Sequence, residues 1–248
     1  VLFRSARNRR HSGHAVVEGW KLIAAAQIAG VPLACIVASH SAIADDAERN
    51  RFESIRCGER IVLSDRLANS LSELPSPPGI LATFAIPRSS GLPADQSCLL
   101  LDGIQDPGNV GTILRVAAAT GLRHVAISSA SASVWSPKSL RSAMGAHFLL
   151  DILENQDLRE LAAQYNGIRV ATVPGASDSI FDAVMPEPVM WMFGSEGQGL
   201  SSSLLAMADV KVCIPMPGGT ESLNVASAAT VCLYERVRRN LTRNGDSQ

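Results

Sequence analysis

Long apolar runs are missing from this chain of 248 residues. None approaches the roughly 20 residues that a membrane-spanning helix needs. The opening stretch, Val1 to Arg10, is too basic and polar to hold the apolar core of a secretory signal. The expectation is a cytoplasmic protein; the start on Val1 rather than on methionine leaves truncation open. Cysteine is scarce: five residues (35, 57, 98, 213, 232), an odd number, with no CxxC pair and four of them in or beside apolar runs. That pattern reads as buried thiols in a reducing compartment, not as a disulfide framework or a metal site. The five histidines form no ligand cluster. A net charge of −1 gives no global pull toward nucleic acid, so any basic surface must be local. No internal repeat or low-complexity tract is visible. The apolar fraction, 46%, is ample for a core in one large or two modest domains.

Taken in order, the chain begins with Arg4, Arg7, Arg9, Arg10, His11 and His14, a basic run with two readings: a solvated tail or a phosphate-contacting arm. Ala15-Val16-Val17 leads to the turn-like Glu18-Gly19. Apolar residues at helical spacing predict a helix over Trp20 to Ile28, with Gly30 as its stop. Pro32 to Ala38 reads as a buried strand. Asp45, Asp46 and Glu48 open a second helix, where negative charge suits an N-terminus. Ile61 to Leu63 and Gly79 to Ile86 are strands separated by a proline- and serine-rich loop at 72–78. The result is a small α/β unit, 1–88, without a pocket-like glycine loop, whose expected job is recognition. Pro87 to Gln96 breaks periodicity and is read as a linker.

From 97 to 248 strand and helix alternate. Cys98 to Ile104 is a strand; Asp106 caps a helix whose first position is Pro107 and which runs to a Gly121 stop. Further strands are expected at His124 to Ser128, Ile168 to Val173, Val189 to Phe193 and Val210 to Ile214, and a last helix at Ser222 to Arg239. This implies a mostly parallel sheet covered on both faces. A dinucleotide-dependent dehydrogenase would need GxGxxG after the first strand, and Gly103-Ile104-Gln105-Asp106-Pro107-Gly108 has the wrong spacing.

Three late stretches carry the polar groups suited to chemistry: Phe193 to Leu200 and Ile214 to Gly219, both glycine-loaded after apolar runs, and Thr220 to Ser227. Glycine lets backbone approach a ligand closely, and strand-to-loop transitions are where open α/β sheets bind small cofactors. Glu196, Ser222 and Asn224 stand in these loops. Helical side chains lean toward the N-terminus, so Arg115, one turn after Gly111, is aimed across a bare backbone patch at whatever Asn109 and the helix mouth bind.

Asp106-Pro-x-Asn109-x-Gly111-x-x-x-Arg115, then Phe193-Gly194-x-Glu196-Gly197-x-Gly199, then Ile214-Pro-Met-x-Gly-x-x-x-Ser222-Leu223-Asn224-Val225-Ala226 resemble the three motifs of the SpoU (TrmH) RNA ribose 2'-O-methyltransferases. The resemblance covers roughly 97–240, and the N-terminal unit resembles a ribosomal-protein-like substrate-binding domain. The resemblance implies a SPOUT fold, a parallel sheet ending in a trefoil knot, and a homodimer. It implies S-adenosylmethionine held by Gly194, Ile214, Met216 and Leu223, with Thr172 and Val173 closing the pocket. Asn109, Arg115, Glu196, Ser222 and Asn224 would form the reaction site. The implied partner is RNA, ribosomal RNA favoured over transfer RNA; a catalytically silent RNA-binding assembly factor is the competing class.

The residue types suit that chemistry. A sulfonium methyl donor needs an aligned hydroxyl and assisted proton loss, with neither a metal nor a covalent nucleophile. Guanidinium stays protonated in proteins, so Arg115 is expected to grip the adjacent phosphate and stabilise the developing alkoxide, with Ser222 helping to move the proton. Glu196 has two readings: reaction-site carboxylate, or partner of loop N–H groups.

Overall fold

The computed structural model describes residues 5–245, and the chain divides into two compact units. The first comprises Val1–Arg88 and Ser133–Phe148; the second comprises Ser89–Ala132 and Leu149–Gln248. Arg4 lies outside the described residues.

In the first unit the basic run is a helix, α1 (Ala6–Ser12), closed by Gly13 in the left-handed region at φ 65°. Arg9 is only 3% exposed there, so at least this cation belongs to the fold and not to a solvated tail. Then follow β1 (His14–Glu18), α2 (Trp20–Ile28), β2 (Leu33–Ser39), α3 (Asp46–Ser54), β3 (Cys57–Leu63), α4 (Asp65–Leu71) and β4 (Ile80–Ala85). The sheet order is β1-β4-β2-β3, with β4 antiparallel to both neighbours and β2 parallel to β3. Asp45 caps α3 by accepting from the Ala47 N–H at 2.8 Å. Two elements differ from expectation. Ala15-Val16-Val17 is the heart of a strand, because Ala15 and Val17 point into the core beside Ile23, Ile36 and Phe84. β3 starts four residues before its apolar end, since an edge strand with one neighbour needs little apolar burial and carries exposed Gly58, Glu59 and Arg60.

The second unit opens with Ser89 and Ser90, which are not a loose linker. Both hydroxyls and the Ser90 N–H (3.1 Å) donate to the Asp151 carboxylate, and Asn166 N–H donates to Ala94 O at 2.8 Å. β5 (Cys98–Asp102), α5 (Pro107–Ala119) and β6 (His124–Ser128) follow. β5 ends two residues earlier than expected because Gly103, at φ +71°, already turns the chain. The chain then leaves this unit: Ser133–Phe148, with α6 (Pro137–Ala143), packs with the first unit instead of staying with its sequence neighbours. Trp135 and Phe148 stand edge-on to Phe84 at 6.1 and 5.3 Å, and Arg141 approaches the Glu18 carboxylate at 3.7 Å. Burial of these rings outweighs sequence proximity.

The remaining elements are β7 (Asp151–Gln156), α7 (Leu158–Ala163), β8 (Ile168–Thr172), β9 (Asp178–Ser179), β10 (Val189–Gly194), α8 (Ser202–Leu205), β11 (Val210–Cys213) and α9 (Val225–Gly245). β7 is polar and β9 has two residues, so neither gives a strand signal in the sequence. All paired strands are parallel, in the order β7-β6-β5-β10-β8-β11-β9. Cys98, Leu100, Met190 and Met192 pack with Leu158, Ala162 and Leu204 from α7 and α8. On the opposite phase, Leu99, Leu101, Trp191 and Phe193 are buried as well, and α9 packs against α5 and β10. Only Cys98 and Cys232 among the five thiols are buried, burial pushing each up to about 12; Cys35, Cys57 and Cys213 are half-buried, contrary to the expectation of buried thiols throughout.

Candidate active site

Because β5, β10 and β11 are parallel members of one sheet, the segments after them leave at the same carboxyl edge, the edge at which such sheets bind ligands. Those segments are Gly103–Asp106, Ser195–Leu200 and 214–224.

Asp106 accepts from the Gly108 N–H at 2.6 Å and Pro107 occupies the first turn, so α5 starts as its sequence dictates. Asn109 then stands where its amide donates to Glu196 Oε1 at 2.6 Å, while its Oδ1 accepts from Asn224 Nδ2 at 3.1 Å. Asn224 Oδ1 accepts from the N–H groups of Ala226 (2.9 Å) and Ser227 (3.4 Å), which makes it the cap of α9. The helix therefore begins at Val225 and not at Ser222, leaving Ser222 and Leu223 in the loop. One chain of hydrogen bonds thus joins three segments that are far apart in sequence. Arg115 and Ser222, both exposed, make no hydrogen bond to it; among the described residues Arg115 has no carboxylate within ion-pair distance. Gly111 is buried, so it offers no bare patch, and Arg115 stands exposed one turn on.

Burial raises the Glu196 carboxyl, but hydrogen bonds from Asn109 and from backbone N–H groups, including that of Gln105, outweigh it and hold the group below the usual carboxylate range. An ionised, bonded carboxylate of lowered pKa is a poor base at neutral pH and a good clamp.

The loop 195–200 closes on itself: Ser195 and Gly199 exchange backbone hydrogen bonds at 3.0 and 2.9 Å, and Gln198 N–H donates to Ser195 Oγ at 3.2 Å. A Cβ at Gly194 would lie 2.0 Å from Gly199 C and Leu200 N. The loop's own backbone thus requires a glycine at 194, independently of any ligand. Gly197, by contrast, faces open space.

Thr172 and Val173 end β8, where Thr172 is half-buried 3.7 Å from Cys232 Sγ and Val173 N–H donates to Val212 O at 2.8 Å. Ile214 and Met216 are half-buried, and Leu223 is 40% exposed. Within 214–223 the Gly219 N–H to Met216 O hydrogen bond, 3.0 Å, is the one backbone pairing among the described residues. A loop with apolar side chains open to solvent and unspent backbone groups suits a ligand with an apolar face and a polar edge.

Sequence reading missed the support beneath this site. Gly103 N–H donates to Ser128 Oγ (2.9 Å), Ile104 N–H to Ser131 Oγ (3.1 Å), and Gln105 Nε2 to Ala130 O (2.8 Å) and Gly103 O (3.1 Å). With Ala132 N–H on Ile104 O (2.8 Å), the turn that aims Gln105 N–H at Glu196 Oε2 (3.4 Å) is fixed by the loop after β6. Nothing in a serine-rich stretch marks those serines beforehand; only Gln105, within the Asp106-Pro107 neighbourhood, was within reach of the motif. No group of His, Cys, Asp and Glu suited to a metal occurs among the described residues, and no described helix is long and apolar enough to cross a membrane.

The model of the SpoU rRNA Methylase family matches residues 96–234, and that of the MRM3-like substrate binding domain matches residues 2–82. The chain is 35% identical over 244 residues to an uncharacterized tRNA/rRNA methyltransferase of Synechocystis sp., covering 94% of this chain and 87% of that one. It is 30% identical to the 23S rRNA (guanosine-2'-O)-methyltransferase RlmP of Bacillus subtilis, covering 92% and 90% respectively. Among solved structures, the SpoU methyltransferase AviRb from Streptomyces viridochromogenes in complex with AdoMet superposes with a TM-score of 0.85 at 28% identity, over 97% of this chain and 95% of that one.

Proposed function

Since the chain belongs to the SpoU rRNA methylase family, we propose that it transfers a methyl group from S-adenosylmethionine to a ribose 2'-hydroxyl of ribosomal RNA. The observation that carries this reading is the Asn109, Glu196 and Asn224 chain, which ties the three motif segments together at the carboxyl edge of the sheet. When bound, S-adenosylmethionine supplies a methyl group already activated on sulfur. Ile214, Met216 and Leu223 would cover its apolar surface, the 214–223 backbone would read its polar edge, and Gly194, Thr172 and Val173 would shape the floor.

The rest falls to the protein. Arg115, exposed and without a carboxylate partner among the described residues, is free to take the phosphate next to the target ribose bidentately and to stabilise the oxyanion as the hydroxyl loses its proton. Ser222, also exposed, stands in the adjoining segment as a relay for that proton. Asn109, Glu196 and Asn224 act by holding the segments in register. Glu196 is assigned the positioning reading because both its oxygens are already engaged. The first unit is assigned substrate recognition, the segments after β10 and β11 the trefoil knot, and the cytoplasm the compartment. A homodimer through α9 accords with exposed Tyr234 (50%) and Leu241 (68%) on that helix.

The test is transfer of radiolabelled methyl from S-adenosylmethionine to ribosomal RNA, compared with the same RNA carrying one 2'-deoxy nucleotide at the mapped target. Methylation of the first and none of the second is expected. Equal methylation of both would assign the acceptor to a base and overturn the reading.

A further inference from the structure

The first unit carries thirteen Lys and Arg against eight Asp and Glu, a formal +5; the second carries nine against fifteen, a formal −6. A polyanion is drawn to the first. Several of that unit's cations are spent inside it. Arg9 is buried, Arg49 Nε donates to Ile43 O at 3.4 Å, Arg60 Nε donates to Phe52 O at 3.3 Å, and Arg141 faces Glu18. Arg51 differs. Its guanidinium lies 4.4 Å from the centroid of the Trp20 ring, it is exposed, and among the described residues no carboxylate is within ion-pair distance, although Glu48 and Glu53 share its helix. Lys21, beside Trp20, is exposed and likewise unpaired. Trp135 and Trp191 are 4% and 1% exposed, so Trp20 is the one tryptophan with surface to offer.

We propose that Trp20, Lys21 and Arg51 form a clamp for an unpaired RNA nucleotide, an inference that rests on RNA being the substrate. A guanidinium held over an indole face keeps N–H groups free to fork onto a phosphate, while the accessible part of the indole offers a surface on which a base can stack. Lys21 adds a point charge for the neighbouring phosphate. Bases inside a duplex have no free face, so the clamp selects a bulged, looped or single-stranded nucleotide.

The experiment titrates the full-length chain with a single-stranded RNA oligonucleotide, and with the duplex of the same sequence, following tryptophan emission and binding at several salt concentrations. Single-stranded RNA is expected to quench Trp20, and the duplex to leave it unchanged. Arg51→Ala combined with Lys21→Ala should weaken binding roughly tenfold and flatten the salt slope by about 1.4, two contacts at about 0.7 each for single strands. Trp20→Phe should keep most of the affinity and lose the quench. Binding without a change in Trp20 emission, an equal quench by duplex, or an unaltered slope in the double variant would overturn the clamp. Methyl transfer measured in parallel separates the two ideas: the double variant should need more RNA than the parent for half-maximal transfer. A parent protein that binds and quenches but transfers no methyl group would sink the enzymatic reading and leave the clamp standing.

Discussion

The two units are built from similar means to opposite ends. The first has a mixed four-stranded sheet and a formal charge of +5, with Lys21 and Arg51 exposed; the second has a parallel seven-stranded sheet, a formal charge of −6, and the Asn109, Glu196 and Asn224 hydrogen-bond chain at the carboxyl edge of that sheet. The whole chain's −1 conceals both. A protein that must attract a polyanion and also hold a cationic methyl donor gains from keeping the two fields in separate bodies, since charges of one sign favour only one of these ligands. Titration separates the units as well. The first buries His147, which burial lowers to about 4 against the pull of its Val134 carbonyl partner. The second holds Glu235 down to about 2, through Arg238 first, against burial, and through Arg239.

The contrast breaks most sharply at Arg115. Arg115→Ala should lower the methyl-transfer rate by about 10²-fold or more while S-adenosylmethionine affinity, read by calorimetry, stays the same. Arg115→Lys should recover part of the rate, since it keeps the charge and loses the planar fork. Parallel losses in rate and cofactor affinity would remove Arg115 from the transition state.

A smaller effect is expected in the loop after β10. Gly194→Ala drives a Cβ into Gly199 and Leu200 and should cost about 1–3 kcal/mol of stability as the loop reopens, with weakened cofactor binding. Gly197→Ala meets no atom within 4 Å and should be close to neutral in both respects. Indistinguishable cofactor affinities in the two variants would show that closure of this loop does not shape the cofactor site.

The smallest effect sharpens the comparison by pH. The folded His147 has a pKa below its ordinary 6.5, so the unfolded chain takes up its proton first. The stability this imidazole contributes is complete above about 6.5 and is lost as pH falls toward 4. Glu235 works lower: its contribution is present above its ordinary 4.5 and is lost only as pH falls toward 2. Between pH 6.5 and 5 the first unit should therefore weaken while the second does not, which thermal melts followed by Trp135 beside His147 would register. His147→Gln should flatten that dependence, and a first unit whose melting is constant over the interval would contradict the assignment.

Much of this was legible beforehand because it is local. Asp106 before Pro107 dictates where α5 begins, the apolar runs at 98–102 and 189–193 announce central strands, and the spacing of the three motifs marks the family. Local signals failed where burial was shared with distant residues. Arg9 looks like a tail residue and is buried, β3 shows only its apolar end, and Ser133–Phe148 joins the first unit because Trp135 and Phe148 find Phe84 there. The sequence by itself determined where α2, α3 and α5 begin and where β5, β6 and β10 start, together with the reaction class and the residue types on which it depends, since caps, glycine turns and apolar periods act over a few residues. Only the tertiary structure decided that Glu196 is clamped by Asn109 and Gln105, that Ser128 and Ser131 brace the turn beneath it, and that Arg51 rests on Trp20. Those contacts depend on strand order and on long-range packing, and a chain read one stretch at a time carries no record of either.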